Sequence, residues 1–188
     1  GQGGIDTLIG NSGNDVFQLQ DVSGYLDGGF TTIQDFGNGT DSIDVSALFG
    51  NNEPETVTPI SGVSDPASDS FIPLSIMTRN NVLVVEHTGI WPTSDPAAPQ
   101  VSTGPLASRT QQQIADLFGN VTFDETPSRG SSHVIITTDQ TNGGDLWLIQ
   151  NFSALTTIEA SEVRKIGHID ADLPDLYPLL LTESALIA

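Results

Sequence analysis

The chain has 188 residues, enough for one domain with a buried core, or for such a domain with an appended segment. It carries 24 Asp and Glu against 5 Lys and Arg, a formal net charge of -19; such a surface repels phosphate backbones and anionic lipid, so it argues against nucleic acid and membrane insertion and favours divalent cations. Hydrophobic residues make up 37% of the chain, and runs such as VLVVEH and VIITT need burial, so the acidic charge is expected on a folded scaffold.

The first eighteen residues divide into two nine-residue lines, GQGGIDTLI and GNSGNDVFQ. Each reads Gly-x-x-Gly-x-Asp-x-apolar-x, with Gly1, Gly4, Asp6 and Leu8 in the first and Gly10, Gly13, Asp15 and Phe17 in the second. Glycines let the first six residues turn tightly and bring carbonyl oxygens to one point. The carboxylate of Asp6 or Asp15 joins that ring, and a shell of hard oxygens suits Ca2+ better than zinc or copper. The carbonyls of Gly1 and Gly3 with Asp6, and those of Gly10 and Ser12 with Asp15, are the candidate ligand sets. The last three residues of each unit predict a short strand that turns Leu8 or Phe17 inward, and turn-and-strand units repeated in this way coil into a parallel β-roll.

These two nonapeptides resemble the calcium-binding repeats of the RTX family, the hemolysin-type repeat of bacterial proteins exported by type I (ABC transporter) machinery. The stretch LDGGFTTIQDFGNGTDSIDVSAL at 26–48 is similar to the segment that closes the roll in serralysin-like C-terminal domains, with Asp35, Phe36, Gly39, Asp41, Ile43, Asp44 and Ser46 carrying the pattern. The resemblance implies that calcium lies between the loops of turns i and i+2, and that two clean repeats are the end of a longer ladder preceded by an upstream domain. Asp35 and Asp41 are candidate ligands, while Asp41 and Asp44 equally suit turn caps. Gly28-Gly29-Phe30-Thr31-Thr32 lacks the expected aspartate, which weakens any site there.

Residues 51–70 read as a long Pro/Ser-rich surface loop. FIPLSIMT and NNVLVVEHT read as two strands joined near Arg79, and WPTSDPAAPQVSTGPLAS as a second proline-rich excursion. Thr110 caps a predicted short helix, QQQIADLFG, with Gln113 in the capping-box place and Gly119 at its end. HVIITT and DLWLIQNF read as a hairpin around DQTNGG, and TTIEASEV extends the apolar patch. Asp139, Asn142 and Asp145 form a weaker calcium candidate outside the EF-hand register, for which a plain hairpin turn is the competing reading.

Catalytic signals are weak. His87, His133 and His168 stand singly, and the sequence has no H-E-x-x-H, G-x-S-x-G or P-loop pattern, so the chain is expected to be non-catalytic. The absence of cysteine excludes disulfides and thiolate metal sites. The expectation is an all-β fold: the end of a parallel β-roll at 1–48, a β-sandwich-like cap with one short helix and long loops at 49–168, and a tail at 169–188. The RTX resemblance makes that tail a candidate secretion signal. It further implies a secreted, extracellular or cell-surface module that folds on calcium binding and supports type I secretion and folding of a larger protein. The alternatives are a calcium-dependent surface-layer or adhesin anchor, and an accessory substrate-binding module of a secreted carbohydrate-active or proteolytic enzyme that uses loops around Trp91.

Overall fold

A computed structural model of the chain describes residues 5–19, 29–49, 56–63, 81–87, 110–116, 132–138, 143–150, 158–170, 180 and 186–187. Short strands dominate: β1 (Thr7–Ile9), β2 (Val16–Gln18), β3 (Thr31–Gln34), β4 (Ser42–Asp44), β5 (Thr56–Val63), β6 (Asn81–His87), β7 (Ser132–Thr138), β8 (Gly144–Gln150), β9 (Val163–Asp170) and β10 (Leu186–Ile187). One short helix, α1 (Gln111–Asp116), joins them. The chain is sheet-rich and not helical, as its composition and alternation indicate. Candidate strand 71–78, the excursion at 91–108 and most of the tail lie outside the described residues.

Successive strands of the N-terminal region alternate between two sheets. β1 pairs in parallel with β3, whereas β2 pairs in parallel with β4. The register superposes the repeat units: Leu8 lies opposite Ile33 and Phe17 opposite Ile43. These are the inward places of each unit, because alternate side chains of a strand face opposite sides. Phe17, Ile33 and Ile43 are buried in the common core, with Leu8 packed against it, while Val16 on the other face of β2 is 60% exposed.

The first sheet extends far beyond these strands, in the order β1-β3-β9-β8-β7-β6-β5; the second runs β10-β4-β2. β7, β8 and β9 are antiparallel neighbours, so the two strands expected to form a hairpin, β7 and β8, do pair, while residues 139–142 between them lie outside the described residues. A single apolar cluster links the two regions, since Phe17, Ile33 and Ile43 belong with Val82, Val134, Ile136, Leu146 and Ile169. The opposite face carries buried Trp147, whose Nε1 donates to Thr137 Oγ1 at 3.2 Å and so keeps a polar atom satisfied in an apolar setting. α1 begins with the expected capping box: Thr110 N–H donates to Gln113 Oε1 at 2.7 Å and Gln113 N–H to Thr110 Oγ1 at 3.2 Å.

Three features differ from the sequence reading. TTIEASEV, read with the strands, holds a 3-10 turn at Ala160–Glu162, and the strand there is β9, which starts only at Val163. Residues 56–63, read as loop because of their proline and serine, form strand β5 parallel to β6. Pro59 is compatible with this because β5 is the last strand in the order, where one row of backbone groups is not needed for pairing. The C-terminal strand β10 lies parallel to β4, with Leu186 opposite Ile43 and Ile187 opposite Asp44. The tail thus returns to the sheet that the repeat strands begin.

Candidate functional site

Because β2 and β4 are neighbours, the turns that precede them, 10–15 and 35–41, are stacked. The strand register carries back through the turns and aligns Gly13 with Gly39 and Asp15 with Asp41. The segment 36–44 is therefore itself a nonapeptide unit with Phe36 in place of the first glycine. Backbone geometry follows the same alignment, with positive φ at Asn11 (67) and Gly13 (131) in one turn and at Gly37 (91) and Gly39 (154) in the other. By the equivalent register of β1 and β3, Thr31 occupies the place of Asp6.

Direct hydrogen bonds lace the two turns. Asp41 is buried, and its carboxylate accepts the N–H of Asp15 at 3.0 Å through one oxygen and that of Gly37 at 2.8 Å through the other. Asn38 Nδ2 donates to the carbonyl of Asn11 at 2.6 Å, and Thr40 N–H to Asn14 Oδ1 at 3.1 Å. Gly13 N–H donates to Asn38 O at 3.4 Å, and Ser42 N–H to Asp15 O at 2.9 Å. The turns approach so closely that a Cβ on Gly39 would lie 1.5 Å from the carbonyl oxygen of Gly13.

The two sixth-place aspartates are therefore used differently. Asp15 makes no side-chain hydrogen bond with another described residue, and its Oδ2 folds over Gly10, where a Cβ would come within 2.7 Å of it. The Asp15 carboxylate thus lies against a glycine, where a Cβ would displace it, and among the described residues it has no hydrogen-bond donor. Among the described residues no three acidic or histidine side chains form a metal cluster, so a cation here would draw on backbone oxygens. Asp35 opens the second turn at φ 64, and its carbonyl accepts Asn38 N–H at 3.1 Å. Asp6 precedes β1, and its carbonyl accepts Thr32 N–H at 2.7 Å. Ser12 is exposed in the first turn, while Gly1 and Gly3 lie outside the described residues.

Asp44 acts as a cap. Its Oδ1 accepts the N–H and the hydroxyl of Ser46, and its Oδ2 accepts Gln18 Nε2. Burial pushes this carboxyl up, but the Ser46 and Gln18 hydrogen bonds outweigh it and hold it below the usual carboxylate range. Sequence reading also missed the lacing roles of Asn14 and Asn38. The recurring Gly-x-Asp of Gly13-Asn14-Asp15 and Gly39-Thr40-Asp41 was the available signal for the register that creates them.

A second polar cluster lies on β8 and β9. Asp145 Oδ1 is 2.7 Å from Lys165 Nζ and 2.7 Å from His168 Nδ1. A β-bulge makes this possible: β9 pairs His168 with Asp145 and Lys165 with Trp147, with one extra residue between them. Without it, positions 165 and 168 would face opposite sides of the sheet. Lys165 Nζ also sits 4.5 Å above the ring centre of Phe30, the residue that leads into β3. Asp145 is thus engaged by two basic side chains; Asp139 and Asn142, its expected companions around calcium, lie outside the described residues.

No curated protein and no solved structure matches the chain. Residues 1–87 match the family model described as Peptidase M10 serralysin C terminal, so over that span the chain is similar to the RTX-type C-terminal domain of secreted proteins.

Proposed function

We propose that the chain is a non-catalytic, calcium-binding RTX module that folds on calcium binding and supports type I secretion and extracellular folding of a larger protein. The observation that carries this reading is the Asp15 carboxylate folded over Gly10 in a turn stacked on a second turn of the same register. The carbonyls of Gly10 and Ser12 with Asp15 form one ligand group, the carbonyls of Gly1 and Gly3 with Asp6 form another, and Asp35 and Asp41 border the site from the later turn. Bound calcium would supply the positive charge that these carboxylates and carbonyl dipoles lack. In this scheme 1–48 is the end of a β-roll, 49–168 a sandwich-like cap, and 169–188 a tail that carries the secretion signal.

The energetics favour a switch. At a net charge of -19 the carboxylates repel one another where calcium is scarce, and ordering of glycine-rich turns is entropically costly. Free calcium at about ten times a site's dissociation constant adds about 1.4 kcal/mol per site, and a few stacked sites decide the equilibrium. The test is circular dichroism with thermal melting in chelator and across a calcium titration, on the wild type and on Asp15→Asn. Calcium is expected to raise the melting temperature and the variant to blunt that rise. Identical melts with and without calcium would overturn the reading.

A further inference from the structure

We propose that Asn38 is a site of spontaneous deamidation controlled by closure of the two turns, and that its conversion to aspartate replaces their amide lacing with a carboxylate that requires a divalent cation. Asn38 and Gly39 are both exposed, and Gly39 N–H makes no hydrogen bond with another described residue. In the reaction, the Gly39 nitrogen loses its proton to hydroxide and attacks Asn38 Cγ. The new N–Cγ bond closes a succinimide, the Cγ–Nδ2 bond breaks, and Nδ2 leaves as ammonia. Water then opens the ring to aspartate or isoaspartate, so the net change is uptake of one water and release of one ammonia.

A side chain on the following residue obstructs this attack, and glycine has none. At position 39 glycine is dictated by packing, since a Cβ would meet the Gly13 carbonyl oxygen at 1.5 Å. The close approach that lets the turns stack therefore fixes the reactive Asn-Gly step in place. Stacking also restrains it. Asn38 Nδ2 is held by Asn11 O, and Asn38 O by Gly13 N–H, so both the leaving group and the backbone are tied to the opposite turn. Attack on Cγ requires that the side chain leave Asn11, so closed turns react slowly and opened turns react fast.

The product changes the sign of the contact. A carboxylate at 38 presents only acceptors to the Asn11 carbonyl and adds negative charge beside Asp15 and Asp41. The same oxygens form a cation-binding set, a consequence that rests on the calcium reading above.

The experiment is peptide mass mapping of the whole chain after incubation at mildly alkaline pH, folded and in denaturant, together with melting of Asn38→Asp in chelator and in calcium. In denaturant, Asn38 should convert faster than Asn11 and Asn14, which precede Ser and Asp. In the folded chain its conversion should slow about tenfold, the effect of two modest hydrogen bonds. Equal folded and unfolded rates, or no conversion in denaturant, would overturn the site. Asn38→Asp should melt lower than wild type in chelator and gain more from calcium; an equal gain would overturn the exchange of lacing for a cation. A wild type indifferent to calcium, with Asn38 conversion still gated by folding, would instead locate the failure in the calcium reading.

Discussion

The carboxylate of Asp41 reaches across to the backbone N–H of Asp15 at 3.0 Å and simultaneously holds Gly37 N–H at 2.8 Å. One buried side chain thus satisfies a donor in its own turn and another in the preceding stacked turn. Hydrogen bonds to an ionised acceptor contribute about 1.5–3 kcal/mol each, and loss of the acceptor strands both donors. Asp41→Ala is expected to cost about 3–5 kcal/mol on this basis, and Asp41→Asn less, because one amide oxygen remains. Urea unfolding of the three proteins at one calcium concentration checks the order.

Gly13 and Gly39 occupy the same place in stacked units, yet their substitutions should differ. A Cβ on Gly39 meets the Gly13 carbonyl at 1.5 Å, so the backbones must separate, and Gly39→Ala is expected to cost more than about 3 kcal/mol and loosen the lacing. A Cβ on Gly13 meets nothing within 4 Å, and its cost comes from φ 131 alone, about 1–3 kcal/mol. Thermal melts of the two alanine variants, with loss of the Asn38 amide–Asn11 hydrogen bond followed by NMR, distinguish clash from strain. Equal destabilisation would show that the turns do not approach as described.

Much of this arrangement is legible in the sequence, for physical reasons that also mark where legibility ends. The eighteen-residue register announces the turns and the inward Leu8 and Phe17, and local chemistry announces the Thr110 cap and the β7–β8 pairing. Phe36 hides the third in-register unit, since it stands where a glycine is expected, and only the pairing of Phe17 with Ile43 exposes it. Strand β5 was obscured by Pro59, which an edge position tolerates. The return of β10 to β4 and the bulge that joins Lys165 and His168 at Asp145 depend on pairings distant in sequence, which no local propensity encodes.

The apolar eighth place should be graded by depth. Phe17 is 4% exposed and packs its ring 6.1 Å from that of Phe36, whereas Leu8 sits at the margin of the core on the first strand of its sheet. Phe17→Ala is expected to cost about 3–5 kcal/mol and Leu8→Ala about 2 kcal/mol or less. Denaturant midpoints measured at one calcium concentration test this, and a larger loss at Leu8 would contradict the observed core.

Asp145 gives the chain an acid-sensitive contact distinct from the turns. Burial raises its carboxyl, but hydrogen bonds from His168 and Lys165 and the charge of Lys165 outweigh burial and hold it below its ordinary value of 3.8. A carboxyl depressed in the folded state contributes stability that is fully present above its unfolded value and lost as pH falls through its folded value. That window lies below 3.8. Asp145→Asn leaves Lys165, whose side chain is 14% exposed, beside a neutral amide, and about 3 kcal/mol should be lost at neutral pH. The gap between variant and wild type should close as the pH falls through the folded-state value, which lies below 3.8, because the wild-type carboxyl is neutralised only there. Replacing Lys165 with Met in the Asn variant should recover part of the loss by removing the unpaired cation, although the contact with Phe30 is lost with it. Urea unfolding across this pH range reads all three outcomes, and a gap that stays constant into acid would show that the Asp145 charge does not hold β8 to β9.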